Sequence, residues 1–185
     1  MKTKITSLVL AITATFPAVS FSAITGTTSV QATFTSVIEA GTCNAEIQNA
    51  SGAPISILPF GDVFKSDLVS QSREEAFRIA FTNCAGVKSA TIQATPGAGG
   101  SCTGNAQNGS SFAGGHNVGF EIWKGTVESE SLLNCSTLPS PVLNLATGAA
   151  NFDMGARIVI AKDKTIADVT TGTVSAPVTF LVTYQ

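Results

Sequence analysis

Histidine, tryptophan and tyrosine each occur once in this sequence, and only 12% of its residues are charged. The single histidine, His116, stands in a glycine-rich stretch, so a hydrolytic triad or a metal site would need its other members brought from elsewhere in the chain. The patterns G-x-S-x-G and H-E-x-x-H are missing, as is a phosphate-cradling glycine loop. Glu74 with Glu75, and Glu128 with Glu130, are adjacent or alternating carboxylates of the kind that solvated faces carry. No catalytic, cofactor-binding or metal-ligating residue is therefore expected, and the chain does not read as an enzyme. Ten lysines and arginines against twelve acidic residues give a net charge of -2, which leaves no basic face for nucleic acid or anionic lipid. None of the four cysteines forms a C-x-x-C pair, so zinc spacing is absent as well.

Long apolar runs are also missing, with one short exception. Lys2 and Lys4 precede an apolar stretch from Ile5 to Phe16, followed by small residues around Ser20, Ser22 and Ala23. That is the form of a secretory signal peptide, too short to span a bilayer. Residues 1–22 are expected to be removed, and the exported chain to carry no stable membrane insertion. In an oxidising compartment an even number of cysteines signals disulfides, and Cys43, Cys84, Cys102 and Cys135 allow three pairings.

What the chain does contain is β pattern. Glycine, serine, threonine and asparagine separate short alternating runs: Phe77, Ile79 and Phe81; Val118, Phe120 and Ile122; Ile158 and Ile160; and a further run from Ser89 to Thr95. Alternation of this kind sends one set of side chains to a core and the other to solvent. Several such strands in one domain predict a sandwich of two sheets. The segment between Pro96 and Asn117 reads as too flexible for a core strand, and Val63 to Glu75 as room for a helical turn.

The strongest signal lies from Gly172 to Gln185. Val174, Ala176, Val178, Phe180, Val182 and Tyr184 all fall on one face. Burying the large members of that set would contribute roughly 1.5–3 kcal/mol each, whereas a bare edge would template aggregation. With nothing after Gln185 to turn back over it, and no other unassigned apolar strand evident, this strand is expected to need a partner from another chain or from the distant N-terminus.

These residues resemble the subunits of chaperone–usher fimbriae, of the type 1 and P kind. Tyr184 stands at that family's penultimate tyrosine and Gly172 at its glycine fourteen residues from the end, with the apolar alternation between them. Phe77-x-Ile79-x-Phe81-x-x-Cys84 resembles the family's run into its second cysteine. Asn117-Val118-Gly119 and Gly155-Ala156-Arg157 resemble other pilin strand starts. The resemblance implies an all-β fold, an incomplete immunoglobulin-like sandwich completed by donor-strand exchange. It implies a bridge between Cys43 and Cys84. Cys102 paired with Cys135 is then a bridge beyond the single one of many pilins, stapling the segment after Pro96. The strand carrying Gly172, Val174, Ala176, Val178, Phe180, Val182 and Tyr184 becomes the chaperone-recognition and groove strand. The implied partners are neighbouring fimbrial subunits, a periplasmic chaperone and an outer-membrane usher, with a host receptor reached through the assembled fimbria. The implied location is extracellular, on the bacterial surface, after transit through the periplasm.

Such a subunit also donates a strand. Val30, Ala32, Phe34, Ser36 and Ile38 share one parity ahead of Cys43, and the family pattern asks for apolar residues there with a glycine where Ser36 stands. The serine is a departure, since it adds a hydroxyl where the donor backbone approaches the groove floor. Residues 23–38 are thus expected to be a donor extension and 39–185 the pilin domain. Two other readings differ in kind. Val30 to Ile38 could be the first strand of a complete sandwich, or the chain could be a single-domain adhesin binding a host glycan or protein through loops near Trp123.

Overall fold

The computed structural model describes residues 33–37, 39–105, 109–135 and 141–185. The expected signal peptide, with Val30, Ala32 and Ile38, lies outside the described residues. The chain falls into two units, Met1–Val37 and Ile38–Gln185. In the first, 33–37 carry no helix or strand, and Phe34 and Val37 are exposed.

The second unit is a β-sandwich. Its described residues form strands β1 (Thr42–Asn49), β2 (Glu74–Ala85), β3 (Ser89–Pro96), β4 (Cys102–Asn105), β5 (Gly109–Gly115), β6 (Val118–Lys124), β7 (Val142–Asn144), β8 (Ala150–Ile160) and β9 (Val178–Tyr184). One sheet has the order β1-β2-β8-β6-β5-β4 and the other β7-β3-β9. The ladders within both are antiparallel. The alternating runs supply the interior: Phe77, Ile79 and Phe81 from β2, Phe152, Met154 and Ala156 from β8, and Ile122 from β6 meet Ala90, Ile92 and Ala94 of β3. This period-two division between faces builds an immunoglobulin-like sandwich.

The helical turn expected between Val63 and Glu75 is α1 (Lys65–Ser70). The Asp67 carboxylate accepts the Phe64 N–H at 2.8 Å, and Gln71 closes the helix in the left-handed region at φ 53. Buried Leu68 joins Val118, Ile158 and Val169 in a second apolar cluster at this end of the sandwich.

The segment after Pro96 departs from expectation. Its residues form β4 and β5 and extend the larger sheet. Phe112 is buried in the main core, and the Ser111 hydroxyl donates to the Thr103 carbonyl at 2.5 Å. Composition misleads here because the small residues serve close packing: a Cβ on Gly114 would come within 2.8 Å of the Phe120 ring. Disulfides join Cys43 to Cys84 and Cys102 to Cys135. The second ties the start of β4 to the chain after Leu133, across a sequence separation of 33.

The face of β6 and β8 turned away from the core is not solvated, as simple alternation would have it. Residues 125–131 fold back over it, with Lys124 N–H bonded to the Ser131 carbonyl at 2.9 Å. A Cβ on Gly155 would meet Val127 at 3.1 Å. Glu121 and Arg157 are buried beneath this cover.

Candidate functional site: a groove along the last strand

The β9 backbone defines the site. Ser89 and Gln185 exchange both main-chain hydrogen bonds, at 3.2 and 2.8 Å. In an antiparallel ladder such pairs alternate with non-bonded ones. From the register, Thr183, Leu181 and Thr179 therefore bond to β3, and Gly97 N–H continues the series to the Pro177 carbonyl at 2.8 Å. Pro177 thus falls where its missing N–H faces β3, away from the free edge. By the same alternation, Val178, Phe180, Val182 and Tyr184 turn their N–H and C=O groups away from β3. Among the described residues no strand pairs β9 on that side, where β9 ends its sheet.

The side chains follow the same parity. From Val174 to Tyr184 the even-numbered residues are half-buried and the odd-numbered ones exposed. Val174 packs on the Leu68 cluster, while Ala176, Val178, Phe180, Val182 and Tyr184 pack on the main core. The ladder strand itself is shorter than the alternation: residues 172–177 continue the edge without pairing to β3 as a strand. The β5–β6 turn holds this stretch, with Ser175 N–H, of the same parity as the residues bonded to β3, reaching the Gly114 carbonyl at 3.0 Å, and His116 Nδ1 2.8 Å from the Thr170 hydroxyl just ahead of it. Gly172 adopts φ 151, and a Cβ there would overlap the His116 imidazole.

Opposite this edge runs an extended segment, residues 55–64, which leaves β1 after Ile55 N–H bonds to the Ile47 carbonyl at 2.9 Å. Between the two edges lies a groove of about 1110 Å³, floored by Phe77, Val118, Phe120, Ile122, Ala156 and Ile158. Gly172, Val174, Ala176, Val178 and Phe180 line it; Val182 and Tyr184 do not. Those last two lie where the sandwich draws together, and the Tyr184 hydroxyl donates to the Cys43 carbonyl at 3.4 Å. The segment at 55–64 was not foreseen as a strand-like edge. Ile55, Ile57, Leu58 and Phe60 are apolar, but Pro59 and Gly61 interrupt them and hide the pattern. It flanks the groove and does not cover it.

This geometry suits strand addition: the edge offers alternate main-chain donors and acceptors, and an apolar floor lies beneath. Two expected donor residues are described, Phe34 and Ser36. Both are exposed, and the Ser36 hydroxyl reaches the neighbouring Val37 carbonyl at 3.5 Å. Trp123, near which the alternative reading places loops that bind a host glycan or protein, is itself buried. Among the described residues no cluster of three or more histidine, cysteine, aspartate or glutamate side chains could hold a metal ion. No helix of the described residues is long and apolar enough to cross a membrane.

No protein-family model matches the chain. The "Uncharacterized fimbrial-like protein YadL" of Escherichia coli (strain K12) is 35% identical over 174 residues, covering 86% of each chain. Among solved structures, one described as a chaperone-usher pilus superposes with a TM-score of 0.53 at 19% identity, covering 90% of this chain and 100% of that one.

Proposed function

The chain belongs to the fimbrial-like protein family, and on that premise we propose that it is a structural subunit whose groove is filled by a strand from a neighbouring subunit. The observation that carries this reading is the β9 edge, whose main-chain groups on one side meet no strand among the described residues and lie above an apolar floor. In the same scheme, Val30, Ala32, Phe34, Ser36 and Ile38 form the strand this chain gives to the next subunit. A periplasmic chaperone fills the groove first, and the exchange takes place at an outer-membrane usher. The assembled fimbria stands on the cell surface and supports adhesion.

Melting the full chain with and without a synthetic peptide of residues 30–39 tests the proposal. A filled groove buries several apolar side chains, and ligand at a hundredfold excess over its Kd stabilises by about 2.7 kcal/mol. A clear upward shift in Tm is expected, lost when the peptide carries Phe34→Asp. An unchanged melt with both peptides would count against the groove as an acceptor of this strand.

A further inference from the structure

The two edges of the groove are not equivalent. On the edge opposite β9, the described residues 56–63 make one hydrogen-bonded attachment to the rest of the chain, at Phe60. Arg73, just ahead of β2, donates from Nε to the Phe60 carbonyl at 2.7 Å, and its Nη2 donates to the same oxygen. The flanking attachments come only at the ends, from Ile55 to Ile47 and from Phe64 to Asp67. Next to Phe60, Gly61 takes φ 64, and a Cβ there would stand 3.0 Å from Arg73 Nη2. On its other side, the Phe60 ring meets Phe120 of the floor edge-on, with centroids 5.1 Å apart.

We infer that Arg73 is a positioning residue for strand capture, which holds the middle of this edge at a set distance from the floor and confines the continuous ladder to the β9 side. This inference rests on the strand-acceptor reading. Pro59 has no N–H, and the Phe60 carbonyl is already engaged by a charged donor, so an incoming strand finds this edge interrupted there. The Val174–Phe180 edge has no such break. An edge held only at its ends would have to be ordered when the strand arrives, which lowers affinity. One fixed at its centre is ordered beforehand. Hydrogen bonds from a guanidinium are strong enough to do this.

Binding of a fluorescent peptide of residues 30–39 to the full chain tests the inference. Arg73→Met is expected to weaken binding about tenfold. Arg73→Lys, which returns one donor to the Phe60 carbonyl, should recover most of the loss. Peptide-free amide exchange at Leu181 and Thr183, bonded to β3, should match wild type and so separate loosening of this edge from general unfolding. Should Arg73→Met fail to fold, Arg73→Gln serves in its place. Equal binding by wild type and the uncharged variant, or a loss that Arg73→Lys does not recover, overturns the positioning role alone. Failure of the wild-type chain to bind the peptide overturns the acceptor reading together with it.

Discussion

The Arg157 guanidinium lies 2.9 Å from the Glu121 carboxylate, with both side chains buried on the face of β6 and β8 turned away from the core. Glu128, from the segment folded over that face, adds a second contact at 2.8 Å. Burial alone would lower the Arg157 pKa; the hydrogen bonds to Glu121 and Glu128, together with the attraction of their charges, outweigh it and leave the value raised. Arg157 Nε and Glu121 Oε1 nonetheless have no partner among the described residues. Removing Glu121 leaves the buried guanidinium with the exposed Glu128 carboxylate as its remaining counter-charge among the described residues. Glu121→Ala should therefore destabilise, by less than the roughly 3–5 kcal/mol of a wholly unpaired buried charge, while Glu121→Leu with Arg157→Met should be milder still. Denaturant melts of the single and double variants decide it, and equal losses would refute the argument.

Amide exchange should show the alternation of β9 directly. Thr179, Leu181 and Thr183 should be protected in the strand-free chain, because they bond to β3. Val178 and Phe180 should exchange quickly there and become protected once a strand fills the groove. Uniform protection along β9 before any strand is added would mean that its outer edge is already paired.

Gly172→Ala should disturb the groove rim and spare the core. The position requires φ 151 and the space beside His116, and strain of that kind amounts to about 1–3 kcal/mol. Faster exchange at Ser175, whose N–H is bonded to Gly114, would register the change. His116→Ala in the same chain should relieve the overlap but not the backbone strain, so recovery should be partial. Full recovery would show that the φ angle carries no weight.

Acid should act on the turn that seats the β5–β6 hairpin. Asp168 accepts hydrogen bonds from the Thr165 backbone N–H at 2.7 Å and the Thr165 hydroxyl at 2.8 Å, and these hold its pKa below the usual aspartate value. A depressed carboxylate contributes fully above its unfolded pKa, about 3.9, and the contribution is lost as pH falls through the lower folded value. The Asp168 carbonyl also accepts from Asn117 Nδ2 at 2.8 Å, so local loosening should reach Asn117. An NMR titration of Asp168 with a midpoint at or above 3.9 would contradict this.

Much of the fold was legible because strand alternation is a local property. Phe77, Ile79 and Phe81 face the core for the reason their spacing gives, and the parity of Val174 to Tyr184 survives even where the ladder to β3 does not. The segment after Pro96 was misread because glycine and serine suit a flexible loop and a tightly packed strand alike; Phe112 in the core settles which.

By itself, the sequence determined the β class, the face on which each run of apolar residues lies, and the single-face alternation of the C-terminal strand. All of these depend on side-chain order along one strand. Tertiary structure decided what depends on residues far apart in the chain. It brought the Tyr184 hydroxyl to the Cys43 carbonyl and left Val182 and Tyr184 out of the groove lining. It made residues 55–64 the second edge, and it buried Glu121, Trp123 and Arg157 under a segment whose composition suggested solvent. Long-range hydrogen bonds and close approaches set these features, and no periodicity encodes them.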